Sequence, residues 1–292
     1  MKKTAKHLPE VKRYELSLIK QTILGFCPDI EMIILFGSFA RGDWVEDKYQ
    51  EDHITYEYKS DFDLLLIFNN EGQANSVPLK QKLEKRIRGA GVNTRISLIL
   101  HTINFVNKKI SKGNYFFADI KKEGIMLYDS ENHKLARRKK LNNKERQKYA
   151  QEDFEHWFKS ANMFFEDFES NYLKGFSNSL YYNKAAFELH QATERYYHAL
   201  ILVFTGYKPK THDLEELGRQ AKNFNPEFNK VFPKCTKEEK RLFELLQKAY
   251  VDARYKRDYA IEKEELEYLG QKVEILKEIT EKICGEKIEG FV

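Results

Sequence analysis

The chain has 292 residues, of which 41% are hydrophobic, 33% charged and 14% aromatic, with only 14 Gly and 6 Pro. That length fits two domains, each able to bury a core, and that composition excludes disordered, collagen-like and low-complexity classes. The formal net charge is +5, but eight basic side chains between 134 and 148 against the single acid Glu145 give that strip +7 and leave −2 for the rest. The strip therefore reads as a solvated linker between two folded parts, with phosphate contact as the competing reading. The longest apolar run, Ala199 to Phe204, is far shorter than the roughly 18 residues of a membrane span. Met1-Lys2-Lys3-Thr4-Ala5-Lys6-His7 leads into a charged amphipathic stretch, not an apolar signal core, so a cytoplasmic location without membrane partners is expected. Cys27, Cys235 and Cys284 are scattered and form no CxxC pair, which points to ordinary buried thiols.

In chain order, Val11, Leu16, Ile19, Ile23 and Leu24 have near-helical spacing over residues 8–26. The run Glu31 to Phe36 reads as a buried strand broken by Gly37, and Phe62 to Phe68 as a second, ended by the turn signal Asn69-Asn70-Glu71-Gly72. Residues 78–88 form a charged helix closed by Gly89 and Gly91, and Thr94 to Leu100 a third strand. Beyond about residue 142 the period is helical throughout: 145–173, 179–205 ending at Gly206, a helix opening at Asp213, 237–256, and a last helix. Its stripe is Leu266, Leu269, Val273, Leu276, Ile279 and Ile283, with Gly285 as the expected cap. Such stripes are buried by a helical bundle. The pattern predicts an α+β chain: an N-terminal α/β domain with a mixed sheet over 1–133, a basic linker over 134–144, and an all-α domain over 145–292.

Chemistry concentrates in the first part. Alternate strand residues share a face, so Asp61 and Asp63 project together at the start of an apolar strand. Two adjacent carboxylates repel unless a cation neutralises them, and oxygen donors so arranged suit Mg²⁺. Gly37 lets the backbone approach a phosphate, while Ser38 and Arg41 offer donors to its oxygens. Read jointly, Gly37, Ser38 and Arg41 bind nucleotide, Asp61 and Asp63 bind metal, and Asp61, Asp63 and Ser38 carry phosphoryl or nucleotidyl transfer.

The segments Leu35-Phe36-Gly37-Ser38-Phe39-Ala40-Arg41-Gly42 and Ser60-Asp61-Phe62-Asp63-Leu64 resemble the nucleotidyltransferase superfamily that includes DNA polymerase β, and within it the minimal prokaryotic members. The resemblance implies Mg²⁺ or Mn²⁺ as cofactor and ATP or another NTP as substrate. Two departures stand out. Residues 44–59 form an insertion that fits a hairpin, a lid or a partner surface. Ser97 occupies the place of the family's third carboxylate, for which Asp52 or Glu57 are substitutes within the insertion.

In the second part, His190-Gln191-Ala192-Thr193-Glu194-Arg195 and Lys208-Pro209-Lys210-Thr211-His212-Asp213-Leu214 resemble the HEPN (higher eukaryote and prokaryote nucleotide-binding) domain. Many such domains cut RNA with an Arg followed four to six residues later by His. The matching segment here is Asp252 to Tyr259, with Tyr259 in the histidine's place, so ribonuclease activity is not expected. Arg254, Lys256, Arg257 and Tyr259 remain as a phosphate- or nucleotide-binding set. The combined resemblance implies AMP transfer from ATP to a hydroxyl on a protein or small molecule, as in toxin–antitoxin modules. A catalytically silent nucleotide-binding regulator and an antibiotic-modifying transferase are the alternatives. Nucleotide, protein acceptor and RNA are the implied partners, with homo-oligomerisation open.

Overall fold

The computed structural model describes all residues except Lys3, Asp52, His53 and Val292, with residues 46–51 and 54–59 described by backbone alone. The chain divides into two compact units, Met1–Lys140 and Leu141–Val292.

In the first unit the order is α1 (Glu10–Phe26), β1 (Ile30–Phe36), α2 (Gly37–Arg41), β2 (Glu46–Glu51), β3 (Ile54–Lys59), β4 (Phe62–Phe68), α3 (Glu71–Ala74), α4 (Val77–Gly89), β5 (Ile96–Thr102), α5 (Ile103–Ser111), α6 (Tyr115–Glu123) and β6 (Ile125–Asp129). Four strands form a mixed sheet in the order β5-β4-β1-β6, with β4 and β5 parallel and the other pairs antiparallel. Parallel pairing needs a crossover, and α3 with α4 supplies it. The central strands β1 and β4 are apolar on both faces because both faces are covered, which is why they read as continuous runs and not as alternation. One side of the core joins Ile19 and Ile23 of α1 to Ile33, Leu35, Leu64 and Leu66 of the sheet and Leu83 and Ile87 of α4. The 44–59 insertion is a two-stranded hairpin, β2 with β3, in its own sheet.

A buried carboxylate fixes the approach to β5. Glu15 accepts hydrogen bonds from the backbone N–H of Asn93 (2.7 Å) and Thr94 (3.1 Å) and from the Thr94 hydroxyl (2.6 Å). Burial raises the Glu15 pKa, but these bonds together with Lys12 outweigh it and hold the group below the usual carboxylate range. The amide of Gly124, after α6, donates to Ile120. From there β6 runs antiparallel along β1; the periodicity does not announce it or helices α5 and α6.

The second unit contains α7 (Asn143–Gly175), α8 (Leu180–Thr205), α9 (Leu214–Lys222), a 3₁₀ turn (Pro226–Lys230), α10 (Lys237–Ala249), α11 (Asp252–Tyr255) and α12 (Lys263–Glu289). Asn142 and Glu145 form a reciprocal capping box at the start of α7. Helix α8 packs against α7, α9, α10, α11 and α12 and is buried nearly all round, so it is the bundle's central helix. At the α7–α8 corner a Cβ on Gly175 would stand 2.0 Å from the Tyr182 ring, so only glycine permits that approach. The last helix runs past Gly285, contrary to the expected stop, and ends at Gly290. Of the expected stripe, Leu266, Leu269, Val273, Leu276 and Ile283 are buried, and Ile279 is half-buried. The expected helix over 237–256 is instead two pieces, α10 and the four-residue α11. Cys27 and Cys284 are buried, whereas Cys235 is exposed, which corrects the reading of all three as core thiols. Among the described residues no helix is long and apolar enough to cross a membrane.

The basic strip starts as a tethered segment. Asn107 Nδ2 donates to the Lys134 carbonyl (3.0 Å), and Lys121 Nζ donates to the carbonyls of Leu135 (3.2 Å) and Ala136 (2.6 Å). The Lys139 amide still donates to the Ile110 carbonyl (3.4 Å), so trypsin in limiting amount is expected to cut first at Lys140, where the first unit ends, and to leave two resistant fragments. Mass spectrometry of the first products checks this, and initial cleavage at Lys134 would contradict it.

Candidate functional site

The sheet's register assembles the site. Phe36, the last residue of β1, pairs with Asp63 of β4, and Asp63 pairs on its other side with Ser97 of β5. The chain then turns at Gly37, whose φ of +73° lies in the left-handed region that side chains rarely adopt. A Cβ there would stand 2.2 Å from Asp63 Oδ2. The Asp63 carboxyl thus lies directly over the Gly37 backbone, and the glycine is required both by conformation and by space. Gly42 closes the short helix that carries Ser38 and Arg41, its amide donating to the Ser38 carbonyl at 2.8 Å. Arg41 is exposed and its Nε donates to Asp43 at 3.0 Å.

Asp61 immediately precedes β4, two residues before Asp63, and is half-buried. The adjoining Ser60 holds the root of the inserted hairpin: its amide donates to the Val45 carbonyl (2.9 Å) and its hydroxyl accepts from the Val45 amide (3.0 Å). The insertion therefore enters and leaves beside the carboxylates. Phe39 links the same region to the core, stacking on Trp44 with centroids 5.6 Å apart and packing against Phe62 at 4.5 Å.

Asp63 is electrostatically strained. Desolvation raises its pKa to about 7, against the opposing pull of the Arg41 charge and of hydrogen bonding from Ser97. Some of the residue reaches solvent, but the carboxyl itself is withdrawn from it. A carboxylate so withdrawn from water is a site that a cation relieves, and the Gly37 cradle leaves no room for anything but backbone beneath it. The oxygen donors present, Asp61, Asp63 and the buried Ser97 hydroxyl, suit a hard divalent ion. Among the described residues no cluster of three or more His, Cys, Asp and Glu side chains is present. The side chains of Asp52 and Glu57, the expected substitutes for a third acid, lie outside the described residues.

The expected set in the helical unit is only partly brought together. Arg254, Lys256 and Arg257 are exposed at and just after α11, with Lys256 Nζ on Asp252 at 3.0 Å. Tyr259 is buried at 7% exposure, its hydroxyl donating to the Leu245 carbonyl (3.2 Å) and its own carbonyl accepting from Asn183 Nδ2 (2.9 Å). It anchors the segment to the core and leaves little ring for a ligand to stack on. The polar stripe of the HEPN-like segment His190 to Arg195, to which the sequence assigns no site role, forms a cluster on the buried helix α8. Glu194, 4% exposed, faces His212 with Oε2 2.9 Å from Nδ1. Arg195 donates to Ser160 (3.0 Å) and Gln191 (2.9 Å), and its guanidinium lies 4.3 Å from the Phe164 ring centroid. The signal was polar residues recurring within an otherwise apolar helix.

Two family models match the chain. Residues 19–133 match the polymerase beta nucleotidyltransferase family, and residues 154–283 match the HEPN domain. No curated protein matches it.

Because Asp63 is protonated at higher pH in the folded chain than in the unfolded one, where an aspartate titrates near 3.9, the folded state binds more protons between about pH 4 and pH 7. Its contribution to stability is full below that window and is lost as pH rises through it. Without divalent metal, Asp63→Asn is expected to melt several degrees above wild type at pH 8 and to lose most of that advantage at pH 5. Thermal melts at the two pH values check this. Gly37→Ala is expected to destabilise at both.

Proposed function

The chain is a polymerase β-type nucleotidyltransferase domain fused to a C-terminal HEPN domain, and on that footing we propose that it transfers a nucleoside monophosphate, AMP from ATP, to a hydroxyl on a protein or small molecule. The observation that carries this reading is the Asp63 carboxyl lying over the Gly37 backbone, with Asp61 two positions before it. Domains of this family generally use an NTP with a divalent metal. Here Asp61 and Asp63 would hold Mg²⁺, which supplies charge neutralisation on the transferring phosphoryl group. Gly37 lets the phosphates approach the backbone, the Ser38 hydroxyl donates to a phosphate oxygen, and the exposed Arg41 guanidinium sets its charge beside them. The root of the hairpin, Val45 bonded to Ser60 next to Asp61 in the chain, supports a role for the insertion in receiving the acceptor.

The helical domain, in this reading, binds a nucleotide or RNA phosphate through Arg254, Lys256 and Arg257, and the protein acts in the cytoplasm as part of a toxin–antitoxin-like module. One observation favours a second reading, in which the first domain binds nucleotide without transferring it. Ser97, directly opposite Asp63, offers a hydroxyl where the family carries an acid, and a serine is neither a strong metal ligand nor a base at neutral pH.

Isothermal titration with Mg²⁺ and a non-hydrolysable ATP analogue tests the site. Binding is expected to need the metal and to weaken at least tenfold in Asp61→Asn/Asp63→Asn; unchanged affinity in that variant refutes the assignment. Incubation with α-labelled ATP separates the two readings, since label is incorporated into an acceptor only if transfer occurs. Ser97→Asp is expected to raise incorporation.

A further inference from the structure

We propose that the cleft between residues 2–7 and the C-terminal end of α2 is an anion subsite for a phosphate group of the acceptor, which is therefore a phosphorylated hydroxyl compound. That the anion belongs to an acceptor rests on the transfer reading above; that an anion binds rests on the cleft alone.

The cleft measures about 510 Å³ and is lined by Lys2, Lys6, His7, Arg41 and Trp44. Its wall on the side of residues 2–7 is fastened at both ends. The Lys2 amide donates to the Gly124 carbonyl (2.9 Å) and the Lys2 carbonyl accepts from the Met126 amide (3.0 Å), while Leu8 is buried in the core. From this wall two side chains reach the last turn of α2. Lys2 Nζ donates to the Ala40 carbonyl and His7 Nε2 to the Phe39 carbonyl, both at 2.8 Å. A carbonyl only accepts, so Nε2 carries the imidazole hydrogen. Helix carbonyls that lack an intrahelical partner are answered in this way by a cation and a ring donor.

The lining holds three cations and no carboxylate. Lys6 is exposed and makes no ion pair or hydrogen bond among the described residues. Arg41 engages Asp43 through Nε alone, at 3.0 Å, and its two terminal nitrogens make no hydrogen bond among the described residues. Like charges gathered on a fixed wall create a positive potential that an anion relieves. A phosphate monoester carries nearly two charges and three acceptor oxygens, so it answers two ammonium groups and a guanidinium together, which a single carboxylate does not.

Placement separates this anion from the phosphates of the nucleotide. Gly37 and Ser38, which receive those phosphates in the transfer reading, open α2, and the cleft lies at its other end, about 7 Å along a five-residue helix at 1.5 Å per residue. Two links join the cleft to the carboxylates. Arg41 lines it and also exerts its charge on Asp63. Trp44 lines it too, and the next residue, Val45, is bonded to Ser60, the neighbour of Asp61. A second substrate held by its phosphate in the cleft is thus positioned beside the nucleotide and not in its place.

The probe is glycerol 3-phosphate, with glycerol as the control that keeps hydroxyls and lacks the phosphate. Isothermal titration of the full chain in EDTA at low salt is expected to show binding of the first and none of the second, with affinity falling as salt rises. Lys2→Gln/Lys6→Gln is expected to weaken binding at least about tenfold, the scale of losing charge-assisted hydrogen bonds. Lys6→Gln alone is expected to cost about threefold with an unchanged thermal melt, because its side chain is exposed, and Lys6→Arg to retain affinity. Asp61→Asn/Asp63→Asn is expected to bind the probe as the wild type does. Repeated with Mg²⁺ and a saturating non-hydrolysable ATP analogue, unchanged probe affinity assigns the cleft to the acceptor, whereas competition makes the anion the nucleotide's own phosphate and overturns the proposal. No binding in EDTA, equal binding of glycerol, or wild-type affinity in Lys2→Gln/Lys6→Gln also overturns it. Failure of the analogue to bind overturns the transfer reading and, with it, the acceptor as occupant, while the EDTA titration by itself decides the anion site.

Discussion

A left-handed turn at Gly37 under the Asp63 carboxyl is the constraint on which the first unit's chemistry depends. Two neighbouring strands must be in a single register for it to form, since β1 has to end where β4 begins. That register is set by burial: a slip of one residue would carry a whole apolar face of β1 or β4 to the other side of the sheet. Core packing and site geometry are therefore one requirement, and the residues that serve them are different. Ile33, Leu35, Leu64 and Leu66 hold the strands, and Gly37, Asp61 and Asp63 inherit their positions from them.

The cost of that arrangement is local and electrostatic. A desolvated carboxylate destabilises the chain unless a proton or a cation answers it. Ser97, the partner across β5, answers it only in part, because a hydroxyl donates one hydrogen bond and carries no charge. The same serine that weakens the case for a three-acid metal site also eases the ionisation of Asp63. The hairpin anchored at Ser60 and Val45 then sets additional backbone beside a site otherwise formed by the sheet and α2.

The helical unit is organised by a different necessity. A central helix in contact with five others is expected to be apolar all round, and α8 is not. Glu194, Gln191, Thr193, His190 and His198 are all buried on it. Each polar atom so placed must find a partner or stay neutral. Thr193 returns its hydroxyl to the Leu189 carbonyl, Gln191 accepts from Arg195, and the two histidines are held uncharged by burial. Glu194 is the exception, because its closest partner, His212, comes from the surface. One buried charge on α8 is thereby connected to solvent through a single imidazole.

The sequence by itself determined the α+β class, the helical second half, the strands β1 and β4 and the grouping of Gly37, Ser38, Arg41, Asp61 and Asp63, because all of these are written in local periodicity and short spacing. Ser97 was marked only by the family resemblance, as the residue in the third acid's place, and the β4–β5 register sets it opposite Asp63. Tertiary structure alone decided what depends on distant pairing. The edge strand β6 is short and its five residues carry too weak a pattern to announce an antiparallel partner nearly a hundred residues earlier. Tyr259 and Arg254 stand five residues apart in one polar segment, yet one is anchored in the core and the other is exposed, since α11 is a four-residue turn and not the continuation of α10. His212, Glu194 and Tyr250 come from a loop, the middle of one helix and the end of another. No spacing rule relates them, and only the packing of α9 and α10 on α8 brings a carboxylate, an imidazole and a tyrosine ring into contact.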